Sequence, residues 1–490
     1  MRRWLGVGAI VLLGCAYAWP MQGGGGTPNS QYALVKALED GTPRVEQSLR
    51  ELGDFPTRDL VRIDGKLYSN KAPGLAFLTV PLYAGLESAG VDVVGDPTRV
   101  LWALGLIGTV LPAIVLLFAM RAVGDRVEPG YGTVSAIAAG SGTLLLPYAT
   151  LFFSHLLAAA LVFAAFALLW RSRNEDRPLL LFGAGVLAGY AVVVEYPNAL
   201  AGAVLGLYAI VDRPRLRRGA TYAAGVVVGV LPGLLYNWWA FGSPFFNAYG
   251  TSPEGQPTDL WGSPSVRAML DFFLASDGFL AFTPVLACGI AGLVVVWRRG
   301  LRPEALTASG VTLSFVVVLS AYYSPFGGFL LGPRYLITTI PLLALGLPIA
   351  FRRAPFATGA LAVVSTVVMA TVTATHALAG HDGRYFHRLF DRELTLSAAS
   401  LVGITGWYAM LPFFVAVGGA AVLAALATRW PRISVRGLGA AGVVVVAWLV
   451  LRELAPVETE GSVGDYLLLA VLVVIAGTVA IRLEQPVRSA

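Results

Sequence analysis

Residues 53–83, GDFPTRDLVRIDGKLYSNKAPGLAFLTVPLY, form a charged segment in a chain that is otherwise almost entirely apolar. The segment contains Lys66 and Lys71, two of only three lysines in the protein, and the third, Lys36, lies shortly before it. Every other permanent positive charge on a side chain is an arginine. Because the lysines and several carboxylates are concentrated in one segment, we predict that the functional site lies there.

The composition excludes a soluble domain. Of the 490 residues, 56% are hydrophobic and 13% are charged, whereas soluble domains carry roughly 25% charged residues. Apolar runs of about 17–25 residues, long enough to cross a bilayer, recur from end to end. The net charge of +6 does not indicate nucleic-acid binding, because the arginines stand at the ends of these runs. Cys15 and Cys288 lie within apolar runs, which favours buried thiols over a disulfide.

Residues 1–20 are compatible with either a signal peptide or a first transmembrane helix. The apolar run 4–19 is long for a signal peptide, and no pair of small residues around a cleavage site closes it. We therefore expect an uncleaved helix that starts in the cytoplasm.

The placement of arginines predicts the orientation of the later helices, because cytoplasmic loops are enriched in positive charge. Seven short arginine-containing segments fall on the cytoplasmic side if the N-terminus does. About fourteen spans follow, with both termini inside: 4–20, 99–120, 130–149, 153–170, 178–195, 197–211, 219–240, 278–297, 304–323, 335–351, 356–377, 402–427, 437–452 and 464–481. If 178–195 and 197–211 form a re-entrant pair instead, the count is twelve. The predicted fold class is an all-α polytopic membrane protein.

The opposite face receives the long loops. The first, 21–98, contains two short amphipathic stretches and an apolar run, 74–90, that we interpret as an interfacial helix. Treating that run as a span would place the later arginines outside. Residues 241–277 and 378–401 form two further outer loops.

Four polar side chains in the spans cluster at one predicted depth. His155, Glu195, Asn237 and Arg334 all fall at the outer ends of their helices, level with the first loop. Helix ends are ordinary places for polar residues, but ionisable groups within spans are costly and mark functional sites. The helix midsections carry almost no charge, which argues against an ion-coupled transport path.

Asp59 is the carboxylate in the first loop that we assign a catalytic role. Asp54 stands at the end of an amphipathic stretch and suits a capping role, and Asp64 precedes Gly65 in an Asp-Gly turn. Asp59 has neither structural explanation and lies twelve residues before Lys71, so that one hairpin would bring the two together. Burial near the membrane is expected to raise the pKa of this carboxylate and suit it to act as a general base.

The chain resembles the GT-C superfamily of membrane glycosyltransferases, and within it family 39-like bacterial proteins related to protein O-mannosyltransferases and aminoarabinose transferases. The resemblance covers about residues 1–350 and rests on the order of one N-terminal helix, a long outer loop and a lysine-proline turn. The motifs that carry it are YSNKAPG (68–74), FSH (153–155), EYPN (195–198), YNWWAFGSP (236–244) and GPRYL (332–336). It implies a catalytic module over 1–350 and variable C-terminal helices over 351–490.

The resemblance implies transfer of a sugar, hexosyl or pentosyl, from a polyprenyl-phosphate donor to a glycan, lipid or protein acceptor. The reaction would take place at the extracytoplasmic face of the plasma (inner) membrane, among membrane lipids. Asp59 and Lys71 are the expected catalytic residues, with Lys71 and Arg334 at the donor phosphate. The expected substrate-binding residues are Asp64, Tyr68, His155, Glu195, Asn237 and Arg334.

One departure from the family concerns its Asp-Glu pair near the start of the first loop, shortly before a tyrosine. The matching stretch here reads Pro28-Asn29-Ser30-Gln31-Tyr32, with no acid. Either Asp59 supplies the carboxylate from later in the loop, or this branch works differently. A transporter for a lipid-linked sugar and a non-catalytic scaffold of the same fold are the alternative functions. The sequence assigns no cofactor or metal. We interpret the segment that contains His376, His381 and His387 as a solvated loop.

Overall fold

Helices make up nearly all the regular structure of this chain. The computed structural model describes residues 2–53, 57–173, 177–246, 248–250, 260–328, 331–378 and 383–485, and the expected capping role of Asp54 lies outside them. The helices of the first half are α1 (Arg2–Ala18), α2 (Gly26–Glu39), α3 (Glu46–Glu51), α4 (Gly74–Ser88), α5 (Pro97–Gly105), α6 (Leu111–Val127), α7 (Gly132–Gly142), α8 (Leu145–Ala149), α9 (Ser154–Arg171), α10 (Pro178–Val194), α11 (Asn198–Ala209) and α12 (Arg215–Phe241).

The second half continues in the same way, with eleven further helices: α13 (Val266–Leu274), α14 (Phe279–Phe282), α15 (Val285–Arg298), α16 (Arg302–Leu319), α17 (Ile340–Leu343), α18 (Leu347–Arg353), α19 (Pro355–Thr375), α20 (Tyr385–Phe390), α21 (Gly406–Ala427), α22 (Val435–Leu454) and α23 (Val463–Glu484). Other short helical segments are Leu106–Val110 (π) and Ala248–Gly250, Arg334–Thr339, Ala344–Gly346 and Ala398–Val402 (3₁₀). The four strands are β1 (Pro20–Met21), β2 (Leu60–Ile63), β3 (Lys66–Ser69) and β4 (Leu396–Ser397).

Nine helices within the described ranges are long and apolar enough to cross a membrane: Pro97–Val127, Ser154–Arg171, Arg215–Phe241, Arg302–Leu319, Arg334–Arg353, Pro355–Thr375, Gly406–Ala427, Val435–Leu454 and Val463–Glu484. A tenth arises if the bent pair Val266–Phe282 and Val285–Arg298 counts as one span. The polytopic helical class is therefore confirmed, while the number fourteen stays a prediction.

Two of the predicted spans are interrupted helices. The stretch 130–149 breaks between α7 and α8 after Gly-Ser-Gly, a sequence of low helix propensity. The stretch 278–297 breaks before Pro284, and the helices on either side differ in direction by 110°, because a proline cannot continue the hydrogen bonding of the preceding turn. The shorter apolar helices α10 and α11 correspond to the stretches 178–195 and 197–211.

Polar contacts tie the segments of one face to each other. At the end predicted to be cytoplasmic, buried Glu128 pairs with Arg299 and Arg352, and Arg173 pairs with Asp212 and with buried Glu304. At the opposite end, β1 and β4 form an antiparallel pair that joins the first loop to the 378–401 loop. The arginine-rich segments thus share one end of the molecule, as expected, and which end faces the cytoplasm stays a prediction.

Helix α4 corresponds to the apolar run 74–90 and, with 15 residues, is shorter than a full crossing. Its first residue, Gly74, lies so close to the end of α10 that an added Cβ would stand 2.8 Å from the carbonyl group of Val193. Only a glycine lets the Lys71-Ala72-Pro73-Gly74 turn rest against that helix end. The turn is therefore held at a fixed position beside α10.

The hydrophobic core is continuous across residue 350. Ala9 and Leu13 of α1 share one cluster with Met410 and Phe413 of α21, and the indole of Trp19 donates to the carbonyl of Ala409 at 2.6 Å. The two parts pack against each other in one core, so the structure does not separate them. The division into 1–350 and 351–490 therefore stays a prediction from sequence.

Candidate active site

The β2–β3 hairpin brings Asp59 and Lys71 together. Leu60 pairs with Ser69 at the open end of the hairpin, so the residues just outside this pair approach each other. The Lys71 Nζ lies 3.1 Å from Asp59 Oδ1, with 8% of the lysine side chain and 27% of the aspartate side chain exposed. The expected juxtaposition is confirmed, and the ion pair is largely shielded from water.

The carboxylate of Asp59 lies at the first turn of α2. Thr27 donates from its hydroxyl to Asp59 Oδ2 at 2.6 Å, and Ser30 donates to the Asp59 backbone carbonyl at 2.6 Å. A helix N-terminus favours a negative charge. The turn from Thr27 to Ser30 is the part of the chain that lacks the family's Asp-Glu pair, so Asp59 brings a carboxylate to that turn from the later hairpin.

The pKa of Asp59 corrects the expectation made from the sequence. Burial by itself raises the pKa of this carboxylate, but the positive charge of Lys71, the Thr27 hydroxyl and the charge of Arg334 together outweigh burial. The pKa of Asp59 therefore lies below its ordinary value. The group is an anion at neutral pH and a weaker base than a carboxylate of raised pKa.

Tyr249 forms the second contact of Lys71. Its ring centre lies 5.0 Å from the Lys71 Nζ, a cation–π distance, and its edge meets the ring of Tyr196. Asn237, near the end of α12, donates to the carbonyls of Pro244 and Phe246 at 3.2 and 3.1 Å. Asn237 thereby fixes the segment that leads to Tyr249, which is a positioning contact rather than a contact with the ion pair.

Glu195, Ser154 and His155 form a buried polar cluster where α9 begins and α10 ends. Ser154 donates from its hydroxyl to Glu195 Oε1, and the His155 Nδ1 lies 3.4 Å from the same oxygen. The His155 ring also contacts Tyr335 edge-on, with centroids 5.6 Å apart. Tyr196, the residue after Glu195, contacts Tyr249, whose ring lies beside Lys71, so aromatic rings connect this cluster to the Asp59–Lys71 pair.

Arg334 is a buried cation in an aromatic setting. It is 9% exposed, and its guanidinium lies 5.7 Å from the ring centre of Phe153 and 5.2 Å from that of Tyr335. Among the described residues its Nε has no hydrogen-bond partner. Gly327 has φ +92° and lies against this atom, so that a Cβ there would collide with it. A buried guanidinium with an unpaired N–H is suited to bind an anion.

Asp64 and Tyr68 take other positions. Asp64 is exposed at the tip of the hairpin with φ +49°, five residues from Asp59, or ~16 Å along an extended strand. The Tyr68 ring packs against Phe241 with centroids 5.1 Å apart. The structure therefore does not bring Asp64 to the ion pair, because it forms the turn, and Tyr68 anchors the hairpin to the end of α12.

Sequence reasoning missed four residues of this site, namely Thr27, Ser154, Tyr249 and Tyr335. Ser154 and Tyr335 are sequence neighbours of His155 and Arg334, and that adjacency could have indicated them. Thr27, in the first turn of α2, and Tyr249, in a short 3₁₀ segment, lie in stretches with no distinguishing sequence pattern. His376 follows α19 and His387 lies in α20, and His381 is outside the described residues. In the described part of the chain, no three His, Cys, Asp or Glu side chains are placed to hold a metal ion.

Comparisons with known proteins bear on the fold. No protein-family model and no curated protein sequence matches the chain. A search of solved structures finds the crystal structure of ArnT from Cupriavidus metallidurans bound to undecaprenyl phosphate, with TM-score 0.51 and 16% identity, over 96% of this chain and 75% of ArnT. The oligosaccharyltransferase AglB from Archaeoglobus fulgidus, in complex with an inhibitory peptide and a dolichol phosphate, matches with TM-score 0.45 and 12% identity, over 91% of this chain and 58% of AglB. The chain therefore shares its fold with ArnT.

Proposed function

We propose that this protein is a glycosyltransferase that moves a sugar from a polyprenyl-phosphate donor to an acceptor hydroxyl at the extracytoplasmic face of the membrane. The observation that carries the proposal is the convergence of an anionic carboxylate, Asp59, with two buried cations, Lys71 and Arg334. The fold shared with ArnT, whose structure was solved with undecaprenyl phosphate, supports the donor class.

The two cations suit the donor phosphate. Arg334 offers an unpaired Nε–H within the described residues, and its planar fork can bind two phosphate oxygens at once, while Lys71 acts as a point charge. The bond between the anomeric carbon and the phosphate oxygen breaks, and its electron pair leaves with the phosphate. Because the cations stabilise the charge that develops on that oxygen, no strong acid is required.

Asp59 suits the acceptor side of the same reaction. The acceptor oxygen forms a bond to the anomeric carbon, and its proton passes to the Asp59 carboxylate. The hydroxyl becomes strongly acidic only as that bond forms, so a carboxylate of low pKa can accept the proton at this stage. Before then, Asp59 orients the hydroxyl by accepting its hydrogen bond. Glu195 and His155 would hold hydroxyls of the sugar or the acceptor.

A lipid-facing groove offers a path for the isoprenoid chain. Phe77 of α4, Tyr190 of α10 and the α12 residues Tyr236 and Trp239 line it. The Tyr190 hydroxyl donates to the Gly74 carbonyl at 2.8 Å, three residues beyond Lys71. An apolar chain lying in this groove would therefore end beside the cation proposed for its phosphate.

The test is transfer of radiolabelled sugar in membranes that contain the protein, offered a panel of undecaprenyl-phosphate sugars. We expect transfer with the unaltered chain, a loss of about a hundredfold in Lys71→Gln, and near-normal transfer in Lys66→Gln. Lys66 is the matched control because it stands at the exposed end of the same hairpin. Equal transfer by both variants would contradict the assignment of Lys71, and no transfer from any donor would contradict the proposed function.

The Arg334→Lys variant tests whether the planar shape of the guanidinium matters in addition to its charge. The substitution keeps the positive charge but loses the planar fork, so we expect transfer to fall while the protein still folds, as judged by its elution in size-exclusion chromatography. Unchanged kinetics in Arg334→Ala would show that this arginine only anchors the end of its helix.

A further inference from the structure

An apolar groove lies among the C-terminal spans and shares no residue with the candidate active site. It has a volume of about 230 Å³ and runs between α15, α18, α19, α22 and α23. Its walls are mostly small or aliphatic, including Ala287, Cys288, Ala476 and Gly477. Small side chains on facing helices leave a channel here that the helices themselves do not fill.

The groove is at least as long as one leaflet of a bilayer. Along α23 its lining extends from Val473 to Gln485, twelve residues or ~18 Å at the rise of an α-helix. Half of a hydrocarbon core of ~30 Å is ~15 Å. The groove therefore has room for one extended aliphatic chain that enters from one membrane surface, and on α22 its lining continues to Leu451, three residues before the end of that helix.

Among the described residues, the one charged side chain that lines the groove stands at one end of it. Arg353 lies at the end predicted to be cytoplasmic and is exposed, with no ion pair to any described residue. Its neighbour Arg352 is already paired with Glu128. The nearby carboxylate, Glu484, accepts from the backbone N–H groups of Phe356 and Ala357 at 3.0 and 2.8 Å. At the far end the lining residues Leu280 and Leu451 are apolar, and Arg452, which does not line the groove, has its guanidinium over the rings of Tyr385 and Trp448.

We propose that this groove binds one acyl chain of an anionic phospholipid of the cytoplasmic leaflet, with the lipid phosphate at Arg353. An aliphatic chain with an anion at one end matches an apolar channel with a free cation at one end. The bound chain would fill the space between the α22–α23 pair and α15. The proposal rests on the predicted orientation of the helices and is independent of the proposed transferase activity.

The test is native mass spectrometry of the delipidated full chain with added phosphatidylglycerol or phosphatidylcholine. We expect one phosphatidylglycerol to bind at least about tenfold more tightly than phosphatidylcholine. Arg353→Gln should remove that preference, whereas Arg436→Gln, an exposed arginine at the same predicted face, should keep it. Equal binding of both lipids to the unaltered protein, or an unchanged preference in Arg353→Gln, would overturn the proposal.

A second variant pair tests the groove itself. A Cβ at Gly477 would meet no atom within 4 Å, and the same holds at Gly442 of α22, which does not line the groove. Because a Cβ at Gly477 has open space and this residue lines the groove, Gly477→Leu should occupy the groove and abolish tight binding, while Gly442→Leu should not. A phosphatidylglycerol with a photoreactive acyl chain should label the peptide that contains Cys288 in Gly442→Leu and not in Gly477→Leu. Labelling of both, or a dimer peak with no bound lipid, would refute the assignment.

Discussion

Asp59 is the residue whose replacement tests the active-site proposal most directly. Asp59→Asn keeps the size of the side chain but removes the charge that pairs with Lys71 and the proton acceptor. We expect the transfer rate to fall about a hundredfold or more, with a smaller effect on donor binding. Asp64→Asn, at the exposed tip of the same hairpin, should remain close to normal at matched expression. A dead Asp64→Asn beside an active Asp59→Asn would place the acceptor carboxylate elsewhere.

The lowered pKa of Asp59 predicts the acidic limb of the rate profile. The carboxylate must be ionised to act, so activity should persist above its pKa and fall as the pH drops through it. Because that pKa lies below the ordinary value, the limb should lie below pH ~4. Thr27→Val removes a hydrogen bond to the charged form and should move the limb to higher pH. The exposed α23 variant Thr478→Val should leave the limb unchanged, and an unmoved limb in Thr27→Val would argue against Asp59 as the titrating group.

At the residue scale, the sequence predicted which charged residues belong to the site, but it did not predict the neighbours that set their pKa values. Asp59 was selected because Asp54 and Asp64 have structural explanations, Lys71 because the chain has three lysines, and Arg334 because ionisable groups within spans are costly. The direction of the Asp59 pKa could not be predicted, because it depends on how closely Lys71, Thr27 and Arg334 approach a partly buried carboxylate. Tyr249 could not be predicted for a related reason, since only the folded chain brings its ring to Lys71.

The hairpin is the element that assembles the ion pair, and its turn is testable. Asp64 and Gly65 both have positive φ, +49° and +77°, as a type I′ turn requires. Gly65→Val should strain this turn by about 1–3 kcal/mol, loosen the β2–β3 pairing and lower transfer. Asp64→Gly should preserve both, because glycine adopts positive φ readily. Hydrogen exchange over 60–69 measures the pairing, and equal protection in both variants would show that the turn does not control it.

At the element scale, local sequence signals were sufficient to predict a turn where one dipeptide determines its geometry. Asp64-Gly65 predicted the hairpin turn, and the turn formed as expected. The bend of 110° before Pro284 and the π segment between α5 and α6 were not predicted. An apolar run predicts one span whether or not the helix bends, because composition contains no information about the direction of the chain.

At the scale of the whole molecule, the alternation of arginine-rich and loop-rich segments predicted which chain segments share a face. The structure joins Glu128 to Arg299 and Arg352, from three segments expected on one side. Composition could not supply the number of spans, because helices such as α11, with 12 residues, are shorter than a full crossing. The assignment of one face to the cytoplasm rests on charge alone.

Cysteine labelling tests that assignment. In a Cys15→Ser, Cys288→Ser background, single cysteines are placed at Lys66, exposed on the first-loop hairpin, and at Arg432, exposed between α21 and α22. Positive residues are retained on the cytoplasmic side during insertion, so the arginine-rich face should be protected in intact cells. We expect Lys66→Cys to react with a membrane-impermeant maleimide directly and Arg432→Cys to react only after permeabilisation. The reverse pattern would place Asp59, Lys71 and Arg334 on the cytoplasmic side, and the donor would then have to be used before it crosses the membrane.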